Sequence, residues 1–106
     1  MVEQSGTCTE WLARQNATGS GLNRLLVRGK CKFPTPGYSV ELRRRPVQGV
    51  NQRVCILERL VHSPWRKRPA EETVIDVEYN ELTGMTYEAV LILPDGIEVG
   101  VERTGE

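Results

Sequence analysis

The sequence predicts an all-β fold, an antiparallel β-sandwich of about six to seven strands, and three observations carry that expectation. Apolar and polar residues alternate with a period of two in one segment after another, the pattern of strands with one wet face. These segments recur at regular spacing and are divided by clusters of Pro, Gly and Asn. No stretch shows the 3.6-residue apolar period of an amphipathic helix.

Taken in order, the chain from Met1 to Gly21 is polar and rich in Gly, Ser, Thr and Asn, with one apolar cluster at Trp11, Leu12 and Ala13. This reads as a flexible N-terminal arm, residues 1–21, ahead of a β-sandwich domain over 22–104. Trp11 on such an arm either packs back on the domain or awaits a partner. The first strand follows, with Leu25, Val27, Gly29, Cys31 and Phe33 on one side and Leu26, Arg28, Lys30 and Lys32 mostly on the other. Pro34 and Pro36 deny two ladder donors and Gly37 tolerates a positive φ, so the chain must leave that strand and begin another, in which Tyr38, Val40 and Leu42 alternate with Ser39, Glu41 and Arg43. Arg53 to His62 carries apolar residues on both faces and reads as a central strand. A Pro-bounded loop from Ser63 to Glu72 holds Trp65, Arg66, Lys67 and Arg68.

Thr73 to Tyr79 is the fourth expected strand, Asn80 to Gly84 a turn, and Met85 to Leu93 the fifth strand. Pro94-Asp95-Gly96 is a reverse-turn signal that makes a hairpin with Ile97 to Glu102. With 106 residues the chain is one domain, and its 39% hydrophobic and 6% aromatic content calls for a core built chiefly from Val, Leu and Ile. Neither a signal-peptide pattern nor an apolar run of the roughly 20 residues that span a bilayer is present in the chain as written, which predicts a cytoplasmic location. Of the three cysteines, Cys31 and Cys55 read as small buried hydrophobes, or as a bridge if their strands pack face to face, whereas Cys8 falls in the arm and is open to oxidation.

Phe33-Pro34-Thr35-Pro36-Gly37-Tyr38, then Glu41-Leu42, Pro46, Gln48-Gly49 and Asn51, and finally Leu93-Pro94-Asp95-Gly96, resemble small uncharacterised bacterial proteins with an immunoglobulin-like β-sandwich. The resemblance runs from about Leu25 to Glu102 and rests mainly on turn residues. It implies a fold and a bacterial source. It carries no activity and no site residue.

Chemistry is sparse. The single histidine, His62, has no second ligand at metal spacing, and no phosphate loop or nucleophile elbow occurs, so no cofactor or metal is expected. An enzyme using Cys55 or His62 is a distant alternative, since their odd offset on one strand sets them on opposite faces. Charge is more informative. Between Arg24 and Arg68 stand twelve basic residues against Glu41 and Glu58, and from Pro69 to Glu106 ten acidic residues against Arg103, for a net charge of zero. Pairing across the ladder explains this structurally. Functionally, Arg43, Arg44 and Arg45 with Trp65, Arg66, Lys67 and Arg68 offer a patch for nucleic acid or another anionic surface. The expectation is a non-enzymatic protein-binding or accessory module, its partner a protein or a second copy of itself, with nucleic-acid or anionic-surface binding through that patch as the alternative.

Overall fold

The computed structural model describes residues 6–17, 21–66 and 69–104. Among the described residues seven strands are formed: β1 (Thr7–Ala17), β2 (Asn23–Phe33), β3 (Ser39–Arg44), β4 (Val54–His62), β5 (Thr73–Thr83), β6 (Ala89–Leu93) and β7 (Ile97–Thr104). Among the described residues there is no helix, hence none long and apolar enough to cross a membrane. The strands make one sheet in the order β3-β4-β6-β7-β1-β2-β5. That sheet curls until its edge strands β3 and β5 approach each other, so it is nearly closed, like a barrel.

β2 follows the alternation read from sequence: Leu25, Val27, Gly29, Cys31 and Phe33 are all buried. They meet Leu42 of β3, Cys55 and Leu57 of β4, Val77 of β5, and Val90 and Ile92 of β6 in one core. Phe33 and Tyr38, at the two ends of the Pro-Pro-Gly connection, stack with ring centroids 4.5 Å apart.

The pairing is not antiparallel throughout. β1 runs parallel to β7 and β4 parallel to β6, while the other neighbours are antiparallel. A parallel pair needs a long return path. The path from β4 to β6 goes by way of β5, and β1 and β7 are the first and last strands of the chain.

The flexible-arm expectation is overturned from Thr7 to Ala17. This segment is β1, with β2 on one side and β7 on the other. Its polar composition hid it, because a bulge between Thr9 and Leu12 breaks the alternation, with Glu10 at φ 56°. The bulge turns Trp11 inward over Gly29, where a Cβ would lie 2.5 Å from the indole ring. Trp11 therefore packs on the domain. Cys8 is likewise not a mobile thiol. It stands directly opposite Cys31 across the β1–β2 ladder and is disulfide-bonded to it, while Cys55 is free and buried.

Two boundaries also shift. β5 continues through Asn80 to Thr83, where a turn was expected, because β2 pairs with it residue for residue from Phe33↔Thr73 to Asn23↔Thr83. β6 begins only at Ala89, since the buried Gln15 of β1 intercepts the preceding backbone: its Nε2 donates to the Met85 carbonyl (2.8 Å) and its Oε1 accepts the Tyr87 N–H (3.0 Å). At Glu88 and Ala89 both backbone N–H groups donate to the Arg53 carbonyl, which shifts the phase and turns Val90 and Ile92 inward.

A chain beginning at Gly21 lacks β1, the disulfide and Gln15 together. It is expected to lose the cooperative thermal transition of the full chain in circular dichroism, rather than persist as a stable domain freed of a tether.

Candidate functional site

A cluster of polar residues closes one end of the barrel, where β3 runs into β4 and β5 into β6. Continuation of β5 places Glu81 in the same inward phase as Val77 and Tyr79. Glu81 Oε1 accepts from Tyr79 Oη (2.6 Å) and from Arg44 Nη1 (3.0 Å), and Oε2 accepts from Tyr87 Oη (2.9 Å). Arg44 Nη1 also donates to Tyr87 Oη (3.1 Å). The group spans the unpaired seam between the edge strands β3 and β5 and clasps it shut.

Burial alone would push the Glu81 carboxyl up, but the hydrogen bonds from Tyr79 and Tyr87 and the Arg44 charge outweigh it and hold the pKa below the ordinary carboxylate value. Burial lowers the Arg44 pKa, and the Glu81 charge more than restores it. Both tyrosines are raised, first by burial and then by their bonds to Glu81. The clasp is thus an ionised carboxylate and guanidinium with two neutral phenols. Cys55 lies beside it, fully buried, and burial followed by the Glu81 charge pushes its thiol up to about 11.

Outside the clasp is a pocket of about 330 Å³ lined by Arg44, Gln48, Gly49, Gln52, Met85 and Tyr87. Its rim is a rigid loop. Gln48 Nε2 donates to the carbonyls of Arg45 (2.8 Å) and Ile56 (3.0 Å), its Oε1 accepts the Ile56 N–H (2.8 Å), and Asn51 Oδ1 accepts the Arg53 N–H (3.0 Å). This anchored loop shows Val47 and Val50 to solvent, 75% and 104% exposed. Met85, Leu82 and Leu22 at the same end are also exposed. A larger hollow of about 420 Å³ lies at the β1 bulge, lined mostly by Glu10, Arg28, Lys30, Asp76 and Glu78. Arg28 there stands opposite Glu78, and Lys30 opposite Asp76.

The residues proposed from sequence are dispersed. Arg43, Arg44 and Arg45 lie at the end of β3, where Arg44 turns in to the clasp and Arg43 and Arg45 stay exposed. Trp65, 83% exposed, and Arg66, 4.3 Å over its ring, follow the end of β4 that pairs with the start of β3. The length of β3, about 17 Å at a strand's rise per residue, separates the two groups. Lys67 and Arg68 lie outside the described residues. His62 is exposed, 3.9 Å from Glu41, whereas Cys55 faces the core.

Among the described residues every Lys or Arg ion pair joins a base from the first part of the chain to an acid from Glu72 onward: Arg14–Glu102, Arg28–Glu78, Lys32–Glu72, Arg44–Glu81, Arg53–Glu88 and Arg59–Asp95. Arg14–Glu102 and Arg28–Glu78 lie across a ladder, while the other four pairs close the β3–β5 seam or tie connecting segments to the sheet or to each other. No three His, Cys, Asp or Glu among the described residues come together to hold a metal. Comparison with known protein families, curated proteins and solved structures returns no match.

Sequence reasoning missed Glu81, Tyr79, Tyr87 and Gln15. The available signal was the phase of β5 carried past Asn80, which places a carboxylate where an apolar residue belongs.

Because the Glu81 pKa is lower folded than unfolded, its stabilisation is complete above the unfolded value, roughly pH 4.3, and is lost as pH falls through the folded value. Urea titrations should show Glu81→Ala about 2–3 kcal/mol less stable than wild type near neutral pH and Tyr87→Phe about 1.5 kcal/mol less stable. The gap between wild type and Glu81→Ala should narrow in acid; a gap independent of pH would contradict an ionised clasp. Cys55 should resist aromatic disulfide reagents in the native protein and react fully once it is unfolded.

Proposed function

We propose that the chain is a non-enzymatic protein-binding module that uses the loop end beside Arg44 and Tyr87. The observation that carries this reading is the loop from Arg45 to Arg53, held by Gln48 and Asn51 while it presents Val47 and Val50. Two apolar side chains in water gain nothing for folding, and a loop fixed in advance loses little entropy when a partner covers it. Met85 and Leu22, from neighbouring connections, and Leu82, near the end of β5, extend the apolar surface.

A non-enzymatic role is supported by the state of the candidate nucleophile. Cys55 is enclosed, its thiol is protonated at neutral pH, and His62 points away from it. Nucleic-acid binding is the weaker reading, because the Arg43–Arg45 group and Trp65–Arg66 sit at opposite ends of β3 and Arg44 is committed to Glu81. For the finer architecture we favour an immunoglobulin-like sandwich, β1, β2 and β5 facing β3, β4, β6 and β7; the shared core supports it, and the parallel β4–β6 pair departs from it. The Cys8–Cys31 bond favours an oxidising compartment over the cytoplasm.

The test is selection from a random peptide library on the intact protein, with Val47→Asp/Val50→Asp as the comparison. Binders whose affinity falls at least about tenfold on the double variant support the reading. Failure to enrich any binder, or enrichment indifferent to the double variant, overturns it.

A further inference from the structure

Arg44 is held in an unusual way for a clasp residue. Only its Nη1 is engaged, by Glu81 and Tyr87, and Nε and Nη2 make no hydrogen bond to a described residue, although the side chain lines the 330 Å³ pocket. Glu81 has meanwhile taken two phenol donors besides Arg44, so its charge is spread over three partners. A guanidinium pinned at one nitrogen and open along its other edge keeps a fork that matches a carboxylate. The adjacent pocket wall supplies the Gln52 amide, and Met85 supplies apolar surface.

Charge around the mouth has the same sense. Arg24 opposite Leu82 and Arg103 opposite Gln15 are exposed there, with no ion pair to a described residue, whereas Arg45 lines a separate hollow with Glu58, Leu93 and Pro94. The acids at this end, Glu81, Glu88 and Glu102, are already paired with Arg44, Arg53 and Arg14. Uncompensated positive charge around an open guanidinium raises the local concentration of an acidic ligand.

We propose that the pocket beside Arg44 takes an aspartate or glutamate side chain of an extended acidic segment of a partner protein, with the carboxylate on the open edge of the guanidinium and a neighbouring apolar residue against Met85 and Val50. This rests on the loop-end reading above and deepens it. The further arginines at this end select an acidic segment over a single chain terminus, because one carboxylate would leave Arg24 and Arg103 unanswered.

The probe is a short, N-acetylated, C-amidated peptide alternating glutamate and leucine, followed by fluorescence anisotropy and by the Arg44 Nε–H and Gln52 amide resonances. Expected results are binding that weakens at least about tenfold when every glutamate becomes glutamine, shifts at both resonances, and loss of binding in Gln52→Glu. That variant sets a like charge in the pocket without touching the clasp, and its thermal transition should match wild type. Arg44→Gln should lose binding too, with its melt recorded to separate misfolding from loss of the site. Equal binding of the glutamine peptide overturns the proposal. So do unshifted Arg44 and Gln52 resonances, undiminished binding by folded Gln52→Glu, binding only of a neutral peptide with a free C-terminus, or no binding up to about 1 mM. If library binders depend on Val47 and Val50 but show no acidic preference, this inference fails and the loop-end reading stands.

Discussion

Among the described residues the two halves of the sheet, β5-β2 and β3-β4-β6-β7, share a backbone ladder only through β1, which pairs antiparallel with β2 and parallel with β7. Several independent contacts hold it there. Cys8 is bonded to Cys31, Trp11 lies on the bare backbone of Gly29, and Gln15 satisfies the backbone on both sides of Thr86. Each answers a different requirement: a covalent link beside the bulge that interrupts the ladder, close approach where only glycine fits, and buried donors and acceptors that would otherwise go unmet. The core can form because this polar strand completes the wall around it.

The opposite seam is closed by electrostatics. β3 and β5 are edge strands that face each other without a ladder, and Arg44 reaches from one to Glu81 on the other. The clasp is tolerable at the barrel's end because every oxygen of Glu81 has a donor and the guanidinium keeps partial access to water. A mirror of this arrangement lies at the other end, where the buried Arg59 holds Asp95 of the β6–β7 turn through two hydrogen bonds of 2.9 and 2.8 Å. Both pairs join the basic first part of the chain to its acidic last part, so the separation of charge along the sequence serves closure of the fold.

A frame closed in this way frees its connecting loops for recognition. Strands fix where the β3–β4 and β5–β6 connections emerge, and Gln48 and Gln15 then fix their backbones from within. The same clasp that closes the barrel orients Arg44, so the stability of the seam and the chemistry of the pocket depend on one side chain. Trp65, in contrast, stands far out in solvent with Arg66 on its ring and no role in the core.

By itself the sequence determined the strands from β2 onward, since a period-two alternation such as Leu25 to Phe33 has one way to bury its apolar set, and it determined the β6–β7 hairpin through Pro94-Asp95-Gly96. It also showed the split charge, which ion pairs between the two parts of the chain answer, two of them across a ladder. Tertiary structure alone decided the rest. β1 was illegible because a bulge interrupts its period and its inward residues include Gln15, whose burial makes sense only beside the Met85–Tyr87 backbone. The clasp was illegible because Asn80 and Glu81 carry turn-like, polar signals that pairing with Leu26 and Leu25 of β2 overrides. Where a polar residue finds its partners across more than thirty positions, local pattern holds no trace of the pairing, and only the closed sheet brings Arg44, Glu81 and Tyr87 together.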